Sequence, residues 1–246
     1  MRVVACIPVR GRLPLVHLTI KRLLEKNGCY RVICVADTND EEYAIVKAGG
    51  TFIYHENKPL GAKWNTAFIA SRMYNPDACL FVGSSDWLSN NWLEYLTPYL
   101  NEYDMVGKVD FNMVHVRGYD TIHGDLQIGN WGGYDIKSKR NGEAIGIGRL
   151  IRKEMLEKLD YQPFDPKLDN SMDYSMHQRV LSLNGKIKAI TSDEVQSLSL
   201  SCDEWCNKHN FAREMNYTTS DYIYNTDAWI AKWGFEEVYE FHKNKR

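Results

Sequence analysis

At 246 residues, 44% hydrophobic and 25% charged, the chain has room for one well-buried soluble domain or two small ones. A net charge of −2 supplies no global basic field for nucleic acid, while leaving a local patch open. No apolar run approaches the roughly 18 residues a membrane span needs, and MRVVACIPVRGR reads as a strand followed by basic residues, not as a signal sequence. Six cysteines are scattered, with Cys6, Cys34 and Cys79 inside apolar runs and only a lone Cys202-x-x-x-Cys206 resembling a ligand pair, so the cytoplasm is the expected compartment.

Val3 to Val9 predicts a first strand, with Pro8-Val9-Arg10-Gly11-Arg12 as the loop at its end. Pro14 opens a helix with Leu15, Leu18, Ile20, Leu23 and Leu24 at helical spacing, stopped by Asn27-Gly28. Tyr30 to Ala36 is a second strand, ending at Asp37. Thr38 caps the next helix, with Glu41 as its capping-box partner, and Gly49-Gly50 ends it. Thr51 to Tyr54 is a third strand, and the polar loop His55 to Leu60 leads into a helix from about Gly61 to Met73. Cys79 to Val82 suits a strand covered on both faces; it ends in Gly83-Ser84-Ser85-Asp86, and Ser89 is expected to cap a helix through Leu100.

Strands alternating with helices imply an α/β fold with a mainly parallel sheet and right-handed crossovers. The loops after Val9, Ala36 and Val82 then gather at one sheet edge, bringing together Arg10 and Arg12, Asp37, and Ser84-Ser85-Asp86. Ligands of open α/β sheets bind at that edge. A lone Asp after a strand serves equally as a turn residue or helix cap; its neighbours here favour a nucleotide and metal site. The first loop has no GxGxxG and the chain no GxxxxGK[ST], which speaks against dinucleotide-binding and phosphate-loop domains.

Further on, Met105 to Val109 is another strand, and residues 111 to 141 read as short strands and a loop suited to an acceptor. Trp87, Trp131 and Tyr134 are the aromatic candidates for stacking there, with core packing as the plain alternative for such rings. Glu143 to Leu159 is a strand passing into a helix. Leu168, Met172, Met176, Val180 and Leu183 predict a helix from about Asp169 to Leu183, which would put Asp169 and Asp173 one turn apart on one face. Strands near Ile187 to Ile190 and Val195 to Leu198 precede CDEWCNKHNF. The tail from Thr226 has two helical segments, with Trp229, Trp233, Phe235, Val238 and Phe241 as packing residues.

Strand-PVRGR, strand-ADTND, ENKPLGAKWN and LFVGSSDW, followed by GIGRLIR, LDNSMD and WCNKH, resemble a GT-A glycosyltransferase, closest to family 2 and to a subgroup common in phage genomes. The resemblance covers roughly residues 1 to 210. It implies a single GT-A domain over 1–246: a nucleotide-sugar-binding half (1–110), an acceptor and catalytic half (111–210), and a helical tail (211–246). By the same resemblance Pro8 and Arg10 surround the base, Asp37 meets base or ribose, Asn57 and Gly61 flank the nucleotide, and Lys63 lies near the donor phosphates. Ser84 and Ser85 line the donor, and Asp86 holds a divalent cation, Mn or Mg. The family's Asp-x-Asp stands here as Ser84-Ser85-Asp86, so one carboxylate remains; a hard cation tolerates this when phosphates and water fill its shell. Asp173 and Arg179 keep the spacing of the family's Glu-Asp…Arg element, with Met172 at the Glu position. Asp173 is thus the implied general base, and Asp169 the second candidate. Lys208 is implied to neutralise leaving diphosphate charge, and His209 to complete the cation shell.

The expected activity is inverting transfer of a sugar from a uridine diphosphate donor to a hydroxyl, on a surface glycan or a hydroxymethylated DNA base. The DNA acceptor draws on phage association and on Arg117, Lys137, Lys139, Arg140 and the terminal KNKR, and would place the enzyme in host cytoplasm. Two rivals remain: a nucleotidyltransferase, for which PVRGR is a short form of the usual basic first loop, and a non-catalytic nucleotide- or sugar-binding module.

Overall fold

Runs such as VVACIP and RVICVA carry no charged side chain between their ends, so they are stable only when both faces are covered. In the computed structural model, which describes residues 1–116, 126–131, 143–201 and 226–238, they are the central strands β1 (Val3–Pro8) and β2 (Arg31–Ala36). With β3 (Thr51–Tyr54), β4 (Ala78–Phe81), β6 (Met105–Lys108), β9 (Arg149–Arg152) and β10 (Ile187–Ile190) they form a seven-stranded sheet in the order β10-β6-β9-β4-β1-β2-β3. Only β9 runs against its neighbours; every other pairing in this sheet is parallel. The carboxyl ends of β1, β2, β3, β4 and β6 therefore share one edge.

Alternation along β1 divides the core. Val3, Ala5 and Ile7 pack beneath α1 (Leu13–Glu25) and α2 (Asn39–Lys47), together with α4 (Trp92–Leu96). Val4 and Cys6 face the other way, towards α3 (Leu60–Ser71), α5 (Lys153–Lys158) and α6 (Met172–Ser182). Near the edge, Trp64 of α3 stacks on Phe81 with ring centroids 4.0 Å apart, and Phe164 packs against both rings. A second sheet, in the order β5-β11-β7-β8, joins β5 (Asp86–Leu88), β11 (Ser197–Ser201), β7 (Phe111–Val116) and β8 (Leu126–Trp131). Helix α7 (Thr226–Trp233) packs beside it, with Ile230 and Trp233 buried against Leu198 and Leu200. No helix among the described residues is long and apolar enough to cross a membrane.

Three local expectations are corrected. The residues after the Gly83 turn form strand β5, because Asp86 to Leu88 pair antiparallel with Ser197 to Ser199. Helix α4 consequently starts at Trp92, not near Ser89, and gives way to a 3-10 turn over Thr97–Asn101. Helix α6 starts at Met172, three residues later than the apolar spacing suggests, since Ser171 takes a left-handed conformation (φ 57°). Asp169 and Asp173 therefore do not share a helix face.

Candidate active site

The loops after β1, β2 and β3 are tied together by the carboxylates of Glu41 and Asp37. Thr38 caps α2 as expected, its hydroxyl accepting from Glu41 N at 3.3 Å. Glu41 does not return the bond to Thr38: its carboxylate accepts from Gly11 N (2.5 Å) and from Asp37 N (3.2 Å). The side chain is almost fully buried and brackets the loops after β1 and β2 together. Asp37 in turn accepts from Asn57 N at 3.2 Å, which brings in the loop after β3. Arg10 is exposed at this rim and Pro8 half-buried beside it.

Lys63 is the largest surprise on this side. It projects from the first turns of α3 and is fully buried, its ammonium donating to Val9 O (2.5 Å) and Asn57 Oδ1 (3.2 Å). Burial pulls its pKa down, while Asp37 and Glu41 pull it up and Arg10 adds to the lowering. With two of its three N–H donors engaged by Val9 O and Asn57 Oδ1, Lys63 fastens the loops after β1 and β3 to one another. Gly61 also acts through packing. Its N–H donates to Leu168 O at 2.8 Å, and a Cβ there would run into the carbonyl of Asp165.

At the end of β4, Ser84 and Ser85 are nearly buried and Asp86 lies in a recess with an accessible edge. One Asp86 oxygen accepts from Gly83 N (2.8 Å) and the other from Ser199 Oγ (3.3 Å). Burial raises its pKa to about 6; the Gly83 and Ser199 bonds and the Arg12 charge oppose the rise, and the charge of Asp173 adds to it. Arg12, at the start of α1, donates to Ser85 Oγ at 3.0 Å. Of the two arginines of PVRGR, Arg10 is felt by Lys63 and Arg12 by Asp86.

Asp173 sits in the first turn of α6, half-buried. Gly146 makes room for it, since a Cβ at that position would collide with the Asp173 carboxylate and the Phe81 ring. The buried Arg149 holds the same corner. Its guanidinium donates to Asp173 O (2.9 Å), Ile145 O (3.2 Å) and Ala144 O, joining the start of α6 to the segment before β9. One turn on, His177 feels the Arg149 charge, and burial and that charge hold its pKa down. Asp169 is engaged elsewhere: it accepts from Leu60 N at 3.0 Å, capping α3, and lies 3.7 Å from Lys58 Nζ.

Trp87 faces the core, fully buried against Leu198 and Trp233, with its Nε1 donating to Thr19 Oγ1 (3.2 Å). It supports the floor and offers no ring to an acceptor, which corrects that assignment. Trp131 ends β8, paired with Phe111. Tyr134, Lys208 and His209, and Arg117, Lys137, Lys139 and Arg140, lie outside the described residues. Glu41, Ser199, Gly146 and Arg149 had no assigned site role in the sequence reading, while Arg12 was placed only at the sheet edge. Glu41 carried a signal in the Thr38-x-x-Glu41 spacing, which pointed to a different partner, and Gly146 and Arg149 stood in the GIGRLIR motif without a role of their own.

No group of three or more His, Cys, Asp or Glu among the described residues is placed to hold a metal. One ionisable carboxylate with an accessible edge, flanked by serine hydroxyls, still fits a hard cation whose remaining ligands are phosphate and water oxygens.

Neither a family model nor a curated protein matches the chain. Solved structures do. S. aureus TarS 1-349 superposes with a TM-score of 0.57 at 17% identity, over 81% of this chain and 60% of that one. The fold is GT-A. Glucosyl-3-phosphoglycerate synthase from Mycobacterium tuberculosis shares it (TM-score 0.51, 13% identity, 76% of this chain and 68% of that one). So does 4-diphosphocytidyl-2C-methyl-D-erythritol synthase from Anaerococcus prevotii (0.52, 14%, 83% and 94%). This GT-A chain spans under two thirds of the TarS structure.

Proposed function

We propose that the protein is an inverting glycosyltransferase that moves a sugar from a uridine diphosphate donor to a hydroxyl acceptor. The observation that carries the reading is that the Asp173 carboxylate lies beside the Phe81 ring at the end of β4, both against Gly146, where Asp86 follows that strand and feels the Asp173 charge, beside the loops that Glu41 and Asp37 bracket. Base and ribose lie against Pro8, Arg10 and Asp37, on a rim kept rigid by Glu41 and Lys63. Asp86 is the residue that would hold a divalent cation, which when bound neutralises charge on the leaving diphosphate. Asp173 accepts the acceptor hydroxyl proton as that oxygen attacks the anomeric carbon; the bond from that carbon to the diphosphate breaks, and the configuration inverts. Asp173 is preferred to Asp169 because the latter caps α3. A uridine diphosphate donor is supported by the TarS structure solved in complex with UDP (TM-score 0.54, 17% identity, 83% of this chain and 62% of that one). The acceptor is the hydroxyl of a surface glycan or of a hydroxymethylated DNA base.

The test is incubation with a panel of nucleotide sugars and Mn²⁺, following donor hydrolysis. Asp173→Asn should lower turnover by about 10²- to 10⁴-fold while UDP binding is retained. No hydrolysis and no nucleotide binding across the panel would remove the proposal. A second reading, nucleotidyl transfer, is favoured by the coverage of 94% of the diphosphocytidyl-methylerythritol synthase chain. Pyrophosphate release from a nucleoside triphosphate separates it from glycosyl transfer. If the acceptor is DNA, binding should weaken steeply between low and moderate salt.

A further inference from the structure

We propose that Arg12 is a direct ligand of the donor's phosphates, placed beside Asp86 where the chain carries one carboxylate in place of a pair; the assignment builds on the nucleotide-sugar reading above. Arg12 is half-buried, and its side chain makes one hydrogen bond among the described residues, from Nη1 to Ser85 Oγ at 3.0 Å. A guanidinium has five N–H donors in a planar fork. Four are left without a protein partner among the described residues, and no described carboxylate lies within 4.0 Å of the group.

Arg12 could be no more than the counter-charge of Asp86. The hydrogen bonds speak against that. Asp86 is held by Gly83 N and Ser199 Oγ, while the guanidinium donates to the neighbouring hydroxyl. The fork therefore remains available to an incoming anion with several oxygens, and phosphate suits it in a bidentate manner. Ser85 Oγ accepts from Arg12 and keeps its own O–H to donate to the same ligand. Electrostatics also requires a cation there. A diphosphate approaching an ionised Asp86 meets like charge in a recess where screening is poor, so affinity depends on positive charge within a few ångströms. Arg12 supplies that positive charge from the start of α1. Arg10, two residues earlier, is exposed, whereas the Arg12 guanidinium is tied to Ser85, next to Asp86. Phosphate binding should thus persist in part without a divalent cation, through Arg12.

Calorimetric titration in EDTA with UDP, uridine and inorganic pyrophosphate tests this on the wild type, Arg12→Gln and Arg12→Lys. Arg12 has φ 56°, and Gln and Lys carry the same backbone strain as Arg, so thermal melting of the three should agree and certify the fold. Arg12→Gln should weaken UDP and pyrophosphate by about ten-fold or more and leave uridine unchanged, with Lys recovering part of the loss. Gln within about two-fold of wild type for both phosphate ligands, or an equal loss for uridine, would overturn the assignment. So would a wild type that binds none of the three. Arg12-dependent pyrophosphate binding without uridine or UDP binding would uphold the phosphate site and remove the nucleotide reading instead.

Discussion

Replacing Glu41 by Gln separates a local cap from a tertiary bracket. If Glu41 were only the second half of a capping box, the loss would be about 1 kcal/mol and confined to α2. In the structure the carboxylate accepts from Gly11 N and Asp37 N, on two loops of the nucleotide rim. A hydrogen bond to a charged group contributes about 1.5–3 kcal/mol, so the pair is worth at most about 3–6 kcal/mol. Two corrections reduce this. The Gln oxygen still accepts one bond, and Gly11 is exposed enough for water to satisfy its N–H. The expected destabilisation is about 2 kcal/mol, or a fall in melting temperature of about 4–8 °C for a domain of this size. Because the amide group now faces a backbone N–H, the loops separate and UDP affinity should fall as well. Urea unfolding, with UDP titration on the same samples, measures both. A change below about 0.5 kcal/mol with UDP affinity intact would refute the bracket, as would a loss of about 2 kcal/mol that leaves UDP affinity unchanged.

Asp86 yields a pH prediction. Its folded pKa of about 6 lies above the ordinary 3.8, so the native state holds the extra proton and stability falls as pH rises from about 4 to about 6. In EDTA, Asp86→Asn should therefore be more stable than wild type by about 1–2 kcal/mol at pH 7 after discounting for its accessible edge, with the gap closing below pH 4; chemical unfolding at both pH values checks it. An equal gap at both would show that the proton is not the cause. Gly146→Ala tests the seat of Asp173. The added methyl must displace the carboxylate or the Phe81 ring, so kcat should fall about ten-fold or more with donor KM little changed and stability lower by about 1–3 kcal/mol. Steady-state kinetics with unaltered kcat would show that the Asp173 carboxylate does not act.

What the sequence determined by itself lies within a turn or two of chain. The apolar runs of β1, β2 and β4, the helical spacing in α1, and Thr38 as a cap are local signals, and the structure has them where the residues indicate. Alternation of strands with helices also sufficed to gather the loops after Val9, Ala36 and Val82 at one sheet edge. The tertiary structure alone decided what each loop side chain does there. Strand β5 exists because of pairing with residues more than 100 positions later, and its three residues carry no signal of their own. Lys63 and Trp87 look like a donor-phosphate ligand and an aromatic platform until remote segments bury them, and Asp169 becomes a cap only when Leu60 arrives. Arg10 and Arg12, two residues apart, are set in different surroundings by the left-handed turn at Gly11-Arg12, the first exposed and the second tied to Ser85. Periodicity and capping act over a few residues, whereas burial and hydrogen-bond partnership depend on which distant groups the fold brings within about 3 Å.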